Sequence, residues 1–378
     1  MAGWPLVELG EVVEPILRGE VPDTEKEYRL IGVKWWGAGA YEYARRGGGE
    51  TKAPLLYEVR TDDVIINKIW ARHGSVSVVT SDLDGAHGSS EFPTFVVDRD
   101  RLDPQWIKWW SKSPVAWSAC AALSYGTSGM NRIQPRQFLS LAIQLPPLAE
   151  QLRIVARLNA VAEKIAIIRA SHAQTATELN ELIVASHFSA SSDRRVRFAE
   201  LIDLHEDKAP VEQGIDYPQV GIRGFARGMF TKDSVSSINT TYRHFNRLYQ
   251  DAFVVSQVKG WEGAVAVCAS DFAGLFVSPE YRTFRCRPSY MIPGYLAAIV
   301  STDWFLDGLA TLTRGQGARR ERLRPEMLLD WEVPMPSVAA QADLLAQFRR
   351  VSAVQRGHAR IITDCEALLP AMLNDVFG

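Results

Sequence analysis

The chain has 378 residues, 47% hydrophobic and 23% charged, with a formal net charge of −2 at pH 7. That length allows two or three domains with real cores, and the composition excludes a disordered or fibrous chain. No apolar run reaches the roughly 18 residues of a membrane helix, and the N-terminal stretch MAGWPLVELGEVVEP is acidic without a signal-peptide core, so a cytoplasmic location is expected.

The charge divides as −2 for residues 1–189 and 0 for 190–378. Near-neutrality does not announce nucleic-acid binding, but it does not exclude it either, because local patches decide contact with phosphates. Cys120, Cys268, Cys286 and Cys365 follow no CxxC or Cys/His spacing. They argue against a disulfide framework or a zinc site and read as reduced, small apolar residues.

The sequence is written twice. Residues 31–118 repeat without a gap 189 positions later: GSVSVVTSDLDG from Gly74 returns as GAVAVCASDFAG from Gly263. Identities include Gly32/Gly221, Val76/Val265, Ser81/Ser270, Asp82/Asp271, Gly85/Gly274, Glu91/Glu280, Phe95/Phe284 and Pro104/Pro293. At an offset of 190, Pro135/Pro325, Pro146/Pro336, Ala149/Ala339 and Gln151/Gln341 follow. The period is far above the roughly 20–50 residues of a solenoid. It is a duplicated module, fit to hold two similar ligands.

In chain order, residues 62–82 predict two short β-rich runs broken at Gly74, and 93–98 another strand. Residues 104–124 carry helically spaced aromatics, with Trp106, Trp109, Trp110 and Trp117 read as core rather than as base-stacking surfaces. After GTSG (126–129), Pro146 and Pro147 suit the first turn of a long helix. Its heptad seam is Ile154, Leu158, Val161, Ile165, Ile168, His172, Thr175, Leu179 and Leu182. HFSASSDRR (187–195) reads as a polar linker. The second copy ends on the seam Leu344, Phe348, Val351, Gln355, His358, Ile362, Cys365, Leu369 and Met372. Each seam rises roughly 42 Å at about 1.5 Å per residue. If the helices pair antiparallel with Ile154 beside Met372, His172 falls opposite Gln355 and Ile168 opposite His358, a polar layer that would fix register.

Catalytic motifs are missing. There is no phosphate-binding GxxxxGK[ST], no HExxH and no GxSxG. The GGG at 47–49 sits in a loop-like stretch, and Pro146-Pro147 lacks the Asn/Asp and aromatic flanks of an adenine methyltransferase motif. Ser81-Asp82 and Ser270-Asp271 read as turns after strands.

The layout resembles the specificity (S) subunit of Type I restriction–modification systems. IQLPPLAEQLRIVARL (143–158) carries the family's PP-x-x-EQ segment at Pro146, Pro147, Glu150 and Gln151. VPMPSVAAQADLLAQF (333–348) keeps Pro336 and Gln341 but has Ser337 and Ala340. GTSG and RGQG (314–317) before these segments are also family-like, and the resemblance spans essentially the whole chain.

It implies α/β (α+β) target recognition domains in tandem, at 1–145 and, after a linker, within 188–335. Each is followed by a long helix, 146–187 and 336–378, paired as an antiparallel coiled coil with pseudo-two-fold internal symmetry. The implied function is non-catalytic reading of a bipartite DNA target in phage defence. The chain would direct two methyltransferase (M) subunits and the restriction (R) subunits to that target. No cofactor is expected on this chain; S-adenosylmethionine belongs to M, and ATP and Mg²⁺ to R.

Groove reading needs polar side chains at exposed tips, and positioning needs Lys and Arg on phosphates. The candidates in the first module are Thr127, Ser128, Asn131 and Arg132, with Lys34, Lys68, Arg72 and His73, and Arg45 and Arg46 in a glycine-rich loop. In the second they are Gln316, Arg319, Arg320 and Arg322, with Arg223, Gln257 and Lys259. The resemblance carries over no individual base-reading role. Two other readings stay open. One is the specificity module of another defence complex, or a stand-alone DNA-binding protein. The other is a metal-dependent nuclease around Asp82, Glu91, Asp271 and Glu280.

Overall fold

The structure is a computed structural model that describes residues 3–124, 132–191, 195–313 and 322–378. It divides into two compact units, Met1–Arg169 with Arg360–Gly378, and Ala170–Ala359.

The first unit contains β1 (Leu6–Glu8), β2 (Val13–Ile16), β3 (Gly19–Glu20), β4 (Glu27–Val33), β5 (Ala40–Gly47), β6 (Leu56–Glu58), β7 (Val64–Ile66), β8 (Val76–Val78), β9 (His87–Gly88) and β10 (Thr94–Val97). Helices α1 (Pro104–Trp110), α2 (Pro114–Ala122) and α3 (Pro135–Leu139) follow, then β11 (Ala142–Gln144) and the long α4 (Leu148–Ser191), whose residues from Ala170 belong to the second unit. The strands form sheets ordered β1-β11, β2-β10-β7-β8 and β3-β6-β9-β4-β5.

The second unit contains β12 (Arg195–Arg197), α5 (Phe198–Leu201), β13 (Ile202–Leu204), β14 (Asp207–Pro210), β15 (Asp216–Ile222), β16 (Met229–Ser236), β17 (His244–Arg247), β18 (Phe253–Ser256), β19 (Val265–Val267), β20 (Phe276–Val277) and β21 (Tyr281–Cys286). Then come α6 (Pro293–Ile299), α7 (Asp303–Leu312), α8 (Pro325–Leu329), β22 (Glu332–Pro334) and α9 (Val338–Phe377), whose residues from Arg360 belong to the first unit. Its sheets are β12-β22, β13-β21-β18-β19 and β14-β17-β20-β15-β16, the same topology strand for strand.

The repeated residues occupy repeated mechanical positions. Pro104 and Pro293 open α1 and α6, and Pro135 and Pro325 open α3 and α8. There the missing N–H has no helical partner to lose. Gly74 and Gly263 close matching 3-10 turns at φ 71° and 68°, a region that favours glycine. Phe95 and Phe284 are buried at the same sheet position.

Trp106, Trp109 and Trp110 are core, as expected, and Trp117 is half-buried. Three of the indole N–H groups find carbonyl or amide partners: Trp106 donates to the Gln144 carbonyl, Trp109 to Asn159 and Trp117 to the Ser111 carbonyl. Burial also pushes the Cys120 and Cys286 thiols up to about 12 and Cys268 to about 11, which keeps them protonated. All four cysteines are free.

A buried glutamine anchors each long helix. Gln151 accepts from the Asp103 N–H at 2.9 Å and donates to the Arg101 and Pro146 carbonyls, both at 2.8 Å. Gln341 repeats the set with the Ile292 N–H and the Tyr290 and Pro336 carbonyls, at 3.0, 2.8 and 3.0 Å. This accounts for the unequal retention of the proline–glutamine segment. Glu150, replaced by Ala340 in the second copy, only makes an exposed pair with Arg153, and such pairs contribute little.

α4 and α9 run antiparallel within each unit. In the first, Ile154 and Leu158 share a core with Leu373 and Phe377, and Arg169 donates to Glu366 at 2.9 Å. In the second, Ile183 shares a core with Leu344 and Phe348. The register differs from expectation by about one turn, because His172 lies against His358, ring centroids 6.0 Å apart, and not opposite Gln355. Two physical causes account for this. The expected pairing stopped at Met372, whereas Leu373 and Phe377 also enter the core. And Leu182 is 54% exposed, while Ile183 and His187 are buried. There the helix packs on its globular unit and its stripe follows the 3.6-residue period rather than the heptad. α4 also continues through Ser191 into the stretch read as a linker.

Candidate nucleic-acid interface

Two clusters of the expected residues form in each unit. In the first unit the segment 67–73 joins them. Asn67 caps the turn by accepting from the Ile69 and Trp70 N–H groups, and Ala71–His73 forms a 3-10 turn.

The first cluster surrounds a glutamate. Glu91 lies 3.9 Å from Lys68 and 3.4 Å from Arg132; the Lys68 N–H donates to the Glu91 carbonyl, and the Lys68 carbonyl accepts from the Ile133 N–H. In the second unit Glu280 lies 2.8 Å from Arg322, and Gln257 occupies the lysine's place with the same backbone bonds to Glu280 and Leu323. The repeated glutamates thus face arginines. Among the described residues no group of three or more His, Cys, Asp or Glu side chains is arranged to hold a metal ion. Asp82 and Asp271 lie in short 3-10 turns, Ser81–Leu83 and Ser270–Phe272.

The second cluster is the tip between β4 and β5. Lys34 is exposed at the end of β4, with its ammonium 5.2 Å from the centre of the Tyr41 ring. Arg223 stands over Phe230 in the same way at 4.7 Å. Gly32 and Gly221 make this possible, since a Cβ on either would overlap the aromatic ring lying across it. The tip is fastened to the neighbouring turn. The Trp36 N–H donates to the His73 carbonyl and the Gly37 N–H to that of Gly74, as Phe225 and Ala226 do to Glu262 and Gly263. Arg72 donates to His73 at 3.2 Å and covers Trp70. Lys112 lies over Trp109, and burial, then Lys108, pushes its ammonium pKa down. Lys259 pairs with Glu262 at 3.6 Å.

Arg45 and Arg46 are exposed further along β5, where Arg45 is held by Glu42. Thr127, Ser128, Asn131, Gln316, Arg319 and Arg320 lie outside the described residues. Sequence reasoning missed the aromatic half of the tips: Trp36 aligns with Phe225, and Tyr41 with Phe230, at the repeat's own offset. Following similar residues, and not identities alone, would have found them.

Basic side chains alternating with exposed aromatics, twice on the same scaffold, suit a polyanion carrying flat rings. No family model and no curated relative matches the chain. Solved structures do. The HsdS subunit from Thermoanaerobacter tengcongensis aligns over 100% of this chain and 97% of its own at 18% identity, TM-score 0.55. The fold is that of a Type I S subunit. A chain from a structure of complex assembly and conformational transition of the type I R-M system aligns over 100% and 98% at 19% identity, TM-score 0.67. The Type-I restriction-modification S subunit from M. genitalium aligns over 99% and 96% at 12% identity, TM-score 0.51. The S-subunit fold therefore spans the whole chain, including both long helices. Among the described residues no helix is long and apolar enough to cross a membrane.

Proposed function

We propose that this chain is the DNA-reading subunit of a Type I restriction–modification complex. The observation that carries the reading is the duplicated basic–aromatic tip with its neighbouring arginine, on two units of identical topology. Each unit reads one half of a split target. Lys34, Lys68, Arg72, Arg132, Arg223, Lys259 and Arg322 supply phosphate and base-edge contacts. Glu91 and Glu280 orient the Arg132 and Arg322 guanidinium groups.

Catalysis belongs to the partners. Two M subunits dock on the paired helices and supply S-adenosylmethionine chemistry, and R subunits supply ATP- and Mg²⁺-dependent cleavage. The test is to express the chain with a Type I M subunit from the same genome and sequence the methylated host DNA. A two-part motif with an unread gap is expected. No methylation above that from the M subunit alone, or a motif without a gap, overturns the reading.

A further inference from the structure

Trp36 and Phe225 hold the same position in the two copies, and both have a left-handed backbone, φ 58° and 57°. In the second copy Ala226 is left-handed as well, at φ 48°. For a bulky aromatic residue this is a rare and costly conformation, and glycine would adopt it freely. The same pair of backbone hydrogen bonds to the neighbouring turn holds it each time. The strained residue is not core: Trp36 is 49% exposed and Phe225 65%. A large ring has been kept where folding alone favours glycine, and it has been kept twice. Strain maintained at an exposed position points to a contact made with something else.

The surroundings indicate what that partner is. Lys34 precedes Trp36 by two residues, and one side of the Trp36 ring meets Trp117 at 5.0 Å and His73 at 5.6 Å, with Arg72 bonded to His73. Arg227 covers Phe225 at 5.6 Å, with Arg223 two residues before it. The nearby carboxylates are already paired, Glu42 with Arg29 and Arg45, and Glu262 with Lys259. A ring presented among cations fits a nucleobase flanked by phosphates better than it fits an apolar protein groove.

We infer that Trp36 and Phe225 are stacking wedges, one per half-site, each unstacking a base step of the DNA that its unit reads. This rests on the DNA-reading function proposed above. The experiment uses the complex of the chain with its M subunit. The probe is a duplex carrying the sequenced motif, with 2-aminopurine placed in turn at each purine other than the methylated adenine. The unaltered complex should brighten one step in each half-site. Trp36→Gly should abolish the signal in the first half-site only, and Phe225→Gly in the second only, each with roughly tenfold weaker binding or more. Trp36→Phe and Phe225→Tyr should keep it.

Phe225→Gly should also hold or raise the melting temperature, because it relieves the backbone; a residue needed only for packing would lower it. A signal that survives in both glycine variants overturns the wedge while leaving DNA reading intact. So does loss of the M subunit in place of DNA, which would make the tips protein-docking sites. An unaltered complex with no preference for the motif overturns the DNA-reading function itself, and the wedge with it.

Discussion

His187 shows how much a single side chain can carry without belonging to the interface. It is 1% exposed, with Nδ1 2.7 Å from the Tyr295 hydroxyl and its ring against Trp304. Burial pushes its pKa from 6.5 down to about 4, against a smaller upward pull from the Pro334 backbone. The folded chain keeps it neutral, while the unfolded chain takes up a proton. Stability from this site is therefore complete above about pH 6.5 and drains as the pH falls toward about 4, by roughly 3 kcal/mol in all. Urea midpoints measured near neutrality and near pH 5 should separate in the native chain and draw together in His187→Phe; an equal separation in both would remove His187 as the cause. Nothing in the sequence marked this residue. It opens HFSASSDRR, whose serines signal a linker, and only the unit packed around it makes it interior.

At the scale of elements, legibility followed the repeat. Repeated prolines and glycines stood out as identities, and the structure gives each a backbone task that few residues can perform. The paired helices were also readable, but not their register, since a heptad pattern fixes which face is apolar and leaves the sliding position to the ends. Those ends are set by the glutamine anchors and by Leu373 and Phe377. Gln151→Leu and Gln341→Leu should each destabilise the chain by about 3 kcal/mol, because each leaves a buried N–H and two carbonyls without a partner. Chemical denaturation followed by circular dichroism checks this. Glu150→Ala is the control, and should change stability by less than about 0.5 kcal/mol.

At the scale of the whole molecule, duplication predicts separable function. Arg132→Ala should relax or weaken the first half of the methylated motif and Arg322→Ala the second. Each should shallow the salt dependence of DNA binding by about one unit of slope. The double variant should show the sum, because the two sites share no partner. Sequencing of methylated DNA and binding titrations at several salt concentrations read both effects; a single substitution that damages both halves would contradict independent units. The sequence could show that one module is present twice. It could not show which side chains read, because groove contacts are made by loop-tip residues whose only sequence mark is polarity.

The first unit is not finished by the first half of the chain. Its core takes Leu369, Met372, Leu373 and Phe377 from α9, while the second unit is complete by Ala359. On the ribosome, therefore, the unit begun first closes last, and for most of synthesis it waits with an apolar face uncovered. Full burial of Leu373 and Phe377 alone is worth on the order of 4 kcal/mol, a large part of an ordinary domain's stability. A chain stopped after Ala359 should keep a protease-resistant second unit and lose protection in the first, nearly two hundred residues upstream of the missing segment. Premature termination would then leave a chain with one unit intact and the other open to degradation.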